Sequence, residues 1–191
     1  MNKKFDDAGY LVVRQFIPQE LCQFAKAYFK IRNDSLDYTI DPQCPLSKSF
    51  YGDTFCETLM LTSTKKLSEI TELQLLPTYS YTRIYAKGDV LKIHTDRPAC
   101  QYSATLCLGR PKEEEISAIY MSKNDDGSKA SELFLEEGDL CIYKGMDMYH
   151  WRKPFTQSWY LQTFLHYVDG NDKYANYIFD GRRSLGIKNK E

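Results

Sequence analysis

Residues 77–97 read PTYSYTRIYAKGDVLKIHTDR. From Tyr79 to Ala86 the residues are mostly aromatic or β-branched, the composition of a strand. Lys87-Gly88-Asp89 is a turn, and Val90 to His94 resumes the strand. The stretch closes on His94-Thr95-Asp96. Side chains at i and i+2 of an extended chain share a face, so His94 and Asp96 can address one ion. A third ligand must come from a distant strand. His150, in the strand-like run Tyr149–Trp151, is the candidate, and the chain has only three histidines. Two histidines and one carboxylate form the facial triad of non-haem iron(II) oxygenases, which leaves three positions of an octahedral ion open. Zinc suits the same donors in a hydrolytic site, but the chain has no HExxH and no evident general-base glutamate near either histidine. The third histidine, His166, reads as core or structural.

Outward from this stretch the chain divides. Residues 5–16 contain a turn at Gly9 and a short strand. Pro18 opens a helix with Glu20 in its first turn and apolar residues at 21, 24, 25, 28 and 29, a helical spacing. Residues 33–50, with Pro42 and Pro45, read as a loop. Phe55, Leu59, Leu67, Ile70 and Leu73 share a helical face, which predicts two short helices broken around Thr62-Ser63-Thr64. After Pro77 short strands follow at residues 101–109, 116–121, 132–135, 140–143, 149–151 and 158–168, separated by turns such as Asn124–Lys129 and Glu136–Asp139. Arg110–Glu115 is a solvated loop. The expected organisation is a single domain over residues 1–191: a helical part at about 15–76, a β-roll at about 79–169, and a polar tail at 170–191 that ends in a frayed IKNKE. Helices followed by about eight strands predict a mainly β fold with N-terminal helices, a jelly roll.

Bulk composition narrows the function classes. The 191 residues are 42% hydrophobic and 14% aromatic, with net charge −1. That suits a globular chain large enough for a core and supplies no field to recruit nucleic acid or an anionic membrane. No apolar run approaches the roughly 20 residues of a membrane span, and the N-terminus lacks a signal-peptide core, so the expected location is cytoplasmic. The six cysteines show no CxxC spacing and read as buried small hydrophobes.

The chain resembles the iron(II)/2-oxoglutarate-dependent oxygenases of the prolyl-4-hydroxylase-like group. The matching features are Tyr85-Ala-Lys-Gly88 before His94-Thr-Asp96, the strand Ser103–Leu108, then Glu137-Gly138-Asp139-Leu-Cys-Ile-Tyr143 and His150 with its closing strand. The opening FDDAGYLVVRQFIPQEL resembles the N-terminal strand and helix of the same group. The resemblance implies a double-stranded β-helix, cupin-like, with Fe(II) held by His94, Asp96 and His150. It implies 2-oxoglutarate and O2 as co-substrates, ascorbate as a reductant, and hydroxylation of an unactivated C–H bond in a prolyl peptide or a small amino-acid-like molecule. Nucleic acid and membrane are not among the expected partners.

One feature departs from the group. Most relatives hold the distal carboxylate of 2-oxoglutarate with a basic residue about ten positions after the second histidine. Position 160 here is tyrosine, and no basic residue occurs between Lys153 and Lys173. A buried carboxylate needs a cation or several donors. Arg83 faces inward if Tyr85 does, together with Tyr81, and Arg152 shares the face of His150. Both arginines are candidates for that carboxylate, Tyr81 and Tyr85 are further donors, and Arg97 is placed to hold co-substrate or substrate. Trp151 and Trp159 are expected to wall the pocket or pack beneath it. Two other functions compete: a cupin-like metal-dependent hydrolase or isomerase that does not use 2-oxoglutarate, and a non-enzymatic jelly-roll binding module.

Overall fold

The computed structural model describes residues 2–187; of the predicted frayed end, residues 188–191 lie outside the described part. The N-terminal half supplies three helices, α1 (Lys3–Ala8), α2 (Gln19–Asp34) and α3 (Thr54–Thr71), with strands β1 (Tyr10–Val13), β2 (Thr39–Asp41) and β3 (Cys44–Tyr51) between them. The rest is β4 (Leu75–Ala86), β5 (Leu91–His94), β6 (Tyr102–Gly109), β7 (Ile119–Ser122), β8 (Ser131–Leu133), β9 (Leu140–Lys144), β10 (Tyr149–Arg152) and β11 (Trp159–Asp169). Two antiparallel sheets result, a larger one in the order β1-β9-β6-β11-β4-β3-β2 and a smaller one in the order β5-β10-β7-β8. From β4 to β11 the chain passes back and forth between the sheets, with β7 and β8 both in the smaller one, the winding of a double-stranded β-helix. No helix among the described residues is long and apolar enough to cross a membrane.

The period of two along each strand divides the large sheet into two faces. On its outer face Ala104, Leu106, Leu108, Leu161, Leu165 and Tyr167 pack with Phe29 of α2 and Met60 and Leu67 of α3. On its inner face Tyr85, Cys107, Cys141, Tyr143, Tyr160 and Phe164 meet Leu91, Ile119 and Met121 of the small sheet. All six cysteines are free and buried, in keeping with their reading as core residues.

Two local expectations are corrected, and a segment that carried no structural reading is placed. Helix α3 runs unbroken through residues 62–64, because the Thr62 and Thr64 hydroxyls donate to carbonyls four residues back, at 3.0 and 2.9 Å, and so need no partner outside the helix. Residues 39–51 form a hairpin where a loop was expected. β2 is an edge strand of three residues and Pro45 lies at the start of β3, the places where a sheet tolerates proline. The tail is docked: the 3₁₀ segment Lys173–Gly181 lies against β4, and Arg182 donates to Glu57 at 2.6 Å with both side chains buried.

Candidate active site

The register of the small sheet builds the site. β10 runs antiparallel to β5 with His150 opposite His94, so the two imidazoles face each other with ring centroids 4.2 Å apart. After His94 the chain leaves the strand, and Asp96 is pinned by main-chain bonds: its N–H donates to the Gly145 carbonyl at 2.8 Å, and the Gly145 N–H donates to the Gln101 carbonyl at 2.9 Å. A Cβ at position 145 would lie 2.1 Å from the Cys100 carbonyl oxygen and 2.6 Å from Asp96 Oδ2, so only glycine fits beside the carboxylate. Asp96 Oδ1 lies 3.9 Å from His94 Nε2 and 3.6 Å from His150 Nε2.

The hydrogen bonds fix which ring nitrogens face inward. His94 Nδ1 meets the Lys92 carbonyl at 2.8 Å and His150 Nδ1 meets the Met148 carbonyl at 3.0 Å. A carbonyl only accepts, so each Nδ1 carries the proton and each Nε2 presents a lone pair. Such backbone bonds orient metal-binding histidines. The other carboxylate oxygen, Oδ2, accepts from Ser103 Oγ at 2.7 Å, and Ser103 Oγ also bonds His166 Nδ1 at 2.9 Å. One ligand atom from each of His94, Asp96 and His150 fits within a 4.8 Å span. Two neutral imidazoles and a carboxylate are the donor set that suits a divalent transition metal, so these residues fit the ion that the sequence implies. Asp96, Cys100 and His166 form a second group of similar spacing, but Asp96 is shared and Tyr79 Oη lies 3.1 Å from the Cys100 sulfur.

Burial sets the electrostatics. Loss of solvent pushes the Asp96 carboxyl up to about 6 and the His150 imidazole down to about 4, and lowers that of His94, with His150 nearby adding to the effect. The His150 imidazole is therefore neutral and ready to bind down to about pH 5, His94 is shifted in the same direction, and Asp96 is the proton competitor. Apparent Mn(II) affinity of the metal-free protein is expected to be flat above about pH 7. Below about pH 6 it should fall roughly tenfold per unit, with close to one proton released per ion at about pH 5. Calorimetry in buffers of different ionisation enthalpy measures that proton; release of two or more at pH 5 would show that a histidine, not Asp96, controls binding.

The triad lies in a cavity of about 300 Å³, also lined by Asp41, Gln43, Tyr79, Tyr81, Arg83, Arg97, Tyr143 and His166. Arg83, 2% exposed, enters from β4; its guanidinium lies 5.3 Å from the ring centroids of Tyr81 and Tyr85. Its Nη2 donates to Asp41 Oδ2 at 2.6 Å and to Gln43 Oε1 at 3.3 Å, whereas Nη1 meets Tyr85 Oη and the Cys44 sulfur, both at 3.4 Å. Arg152 points inward from β10 as alternation predicts, but it does not line the cavity. Tyr85, Phe155 and Tyr160 surround it at 5.0–5.4 Å, and it donates to the Ser117 carbonyl at 2.8 Å and to Gln162 Oε1. Arg97 lines the cavity, but both of its terminal nitrogens are bound to Asp180 at 2.8 Å.

The structure therefore gathers His94, Asp96, His150, Arg83, Tyr81 and Arg97 around one cavity and leaves Arg152 and Tyr85 behind its wall. His166, read as core, is a wall residue of the cavity. The tryptophans do not wall it. Trp151 stacks on Tyr120 at 5.5 Å, turned outward by the alternation that turns His150 inward, and Trp159 lines a separate apolar groove beside Phe29 and Lys26. Ser103 and Gly145 had no recognisable signal in the sequence, because each acts on Asp96 through the fold.

No protein-family model matches the chain, and no curated protein matches it by sequence. Solved structures do. A Pseudomonas putida prolyl-4-hydroxylase is 17% identical with a TM-score of 0.65, over 83% of this chain and 92% of that one. A Trichoplax adhaerens prolyl hydroxylase, solved in complex with a hypoxia-inducible-factor peptide fragment, is 14% identical with a TM-score of 0.69, over 87% and 86%. HygX from Streptomyces hygroscopicus, solved with nickel and 2-oxoglutarate, is 16% identical with a TM-score of 0.65, over 90% and 88%. At these identities the likeness establishes the architecture: the chain has the double-stranded β-helix fold of the iron/2-oxoglutarate oxygenases.

Proposed function

We propose that the protein is an Fe(II)- and 2-oxoglutarate-dependent dioxygenase that hydroxylates an unactivated C–H bond, in a prolyl residue or a small amino-acid-like substrate. The observation that carries this reading is the convergence in one cavity of two Nε2 lone pairs, one carboxylate and a buried arginine. His94, Asp96 and His150 would hold the metal at the cavity wall. Arg83, the buried cation of the cavity wall, receives the distal carboxylate of 2-oxoglutarate, with Tyr81 beside it. When bound, iron and 2-oxoglutarate together supply the activation of O2, with succinate and CO2 as the co-products.

The remaining tasks belong to the chain. Lys92 and Met148 carbonyls hold the imidazole tautomers, and Ser103 orients the carboxylate. Tyr79, Thr95, Arg97 and Phe164 line the part of the cavity left for substrate.

The test needs no known substrate. Purified protein with added Fe(II), incubated with 2-oxoglutarate under air, is expected to release succinate slowly, and none without metal. The hydrolase, isomerase and binding-module alternatives predict no succinate under any of these conditions, so complete absence of release rejects the proposal.

A further inference from the structure

We propose that Asp41 sets the affinity of the cavity for its co-substrate by competing for Arg83, and that the β2–β3 hairpin is the segment that yields when a carboxylate ligand enters. This rests on the reading of Arg83 as the anchor for 2-oxoglutarate. Asp41 Oδ2 holds Arg83 Nη2 at 2.6 Å and accepts from Tyr81 Oη at 2.7 Å, so an aspartate of the chain already occupies an arginine–tyrosine cradle suited to a carboxylate ligand. A second carboxylate on the same buried guanidinium would face like-charge repulsion in a poorly solvated site.

The two partners differ in how firmly they are held. Arg83 lies on β4, paired on one side to Gln162 of β11 and on the other to Ser49 of β3. Asp41 ends a three-residue edge strand whose register to β3 is irregular and which pairs only through Thr39 and Asp41 itself; Pro42 follows. Its side chain is 27% exposed, against 3% for Arg83. Asp41 and Gln43 also form part of the cavity wall. A carboxylate arriving at Arg83 therefore cannot shift the arginine; it displaces the aspartate, and the hairpin moves with it. Binding of 2-oxoglutarate is an exchange of one carboxylate for another, and the affinity is lower than Arg83 alone would give.

Two measurements on the Mn(II)-loaded full chain without O2 test this. In calorimetric titration, Asp41→Asn is expected to bind 2-oxoglutarate roughly tenfold more tightly than the wild type, within the usual span of coupling between competing ligands. In hydrogen exchange on the wild type, which needs no variant to fold, amides of residues 37–46 are expected to exchange faster once 2-oxoglutarate is bound. Equal or weaker binding by Asp41→Asn, or slowed or unchanged exchange in the hairpin, overturns the inference while leaving the oxygenase reading intact. Failure of both proteins to bind 2-oxoglutarate overturns the oxygenase reading, and this inference with it.

Discussion

Asp96→Asn is expected to abolish metal-dependent succinate release and to weaken Mn(II) binding by at least roughly a hundredfold, while leaving the metal-free protein as stable as the wild type or more so. The loss follows from charge. Among the described residues Asp96 is the carboxylate grouped with the two imidazoles, and an amide in its place removes the anionic donor of that group. Perturbing partners one shell further out already costs 10–100-fold in affinity at such sites. The stability forecast follows from burial, which raises the Asp96 carboxyl to about 6. A raised folded-state value means that the folded protein holds this proton more tightly than the unfolded chain. Ionised Asp96 therefore costs the metal-free fold stability above about pH 6. Asparagine removes that cost and can still accept from Ser103. Thermal unfolding at about pH 7 with and without Mn(II) separates the two effects: the wild type should gain stability from the ion, and the variant should gain none. A variant that retains metal-dependent succinate release would sink the assignment of Asp96.

The parts of this site that were legible in the sequence are those governed by the strand period. Alternation places Tyr81 with Arg83 and Tyr85 on the inward face of β4, and the H-x-D spacing with the scarcity of histidine singles out His94, Asp96 and His150, although Asp96 lies beyond the end of β5 and is set by its own main-chain bond. The same rule, applied one residue further, turns Trp151 outward. Alternation gives direction but not depth. Arg152 points inward, yet the register of β10 on β5 breaks between His150 and Arg152, and three aromatic rings wall it off from the cavity. The groups that tune the triad were not legible. Ser103 reaches Asp96 across a turn, and Gly145 pins it from a strand end 49 positions downstream. The β2–β3 hairpin was hidden by Pro42 in its turn and Pro45 at the start of β3, and the docked tail by polar residues whose partners, such as Glu57 for Arg182, lie 125 positions away. Contacts at such separations leave no local pattern.

Arg83→Met is expected to raise the KM for 2-oxoglutarate by one to three orders of magnitude with a much smaller change in kcat. Loss of a charge partner for a carboxylate in a desolvated site costs roughly 2–5 kcal/mol, and the upper part of that range would appear as no measurable saturation. Methionine keeps the apolar stem between Tyr81 and Tyr85, and Asp41, being partly exposed, can turn to solvent, so the fold should survive. Arg152→Met is the control of opposite sign. Its guanidinium is sealed among Tyr85, Phe155 and Tyr160, and removing it should lower Tm and leave the KM nearly unchanged. If the two arginines exchanged roles, with Arg152→Met raising the KM and Arg83→Met leaving it alone, the anchor would lie behind the aromatic wall and the cavity would have to open to reach it. The double variant adds a sharper criterion. Asp41 acts on the co-substrate chiefly through Arg83, so Asp41→Asn should tighten 2-oxoglutarate in the wild-type background and do far less in the Arg83→Met background. Additive effects of the two substitutions would show that Asp41 and Arg83 act on the ligand separately.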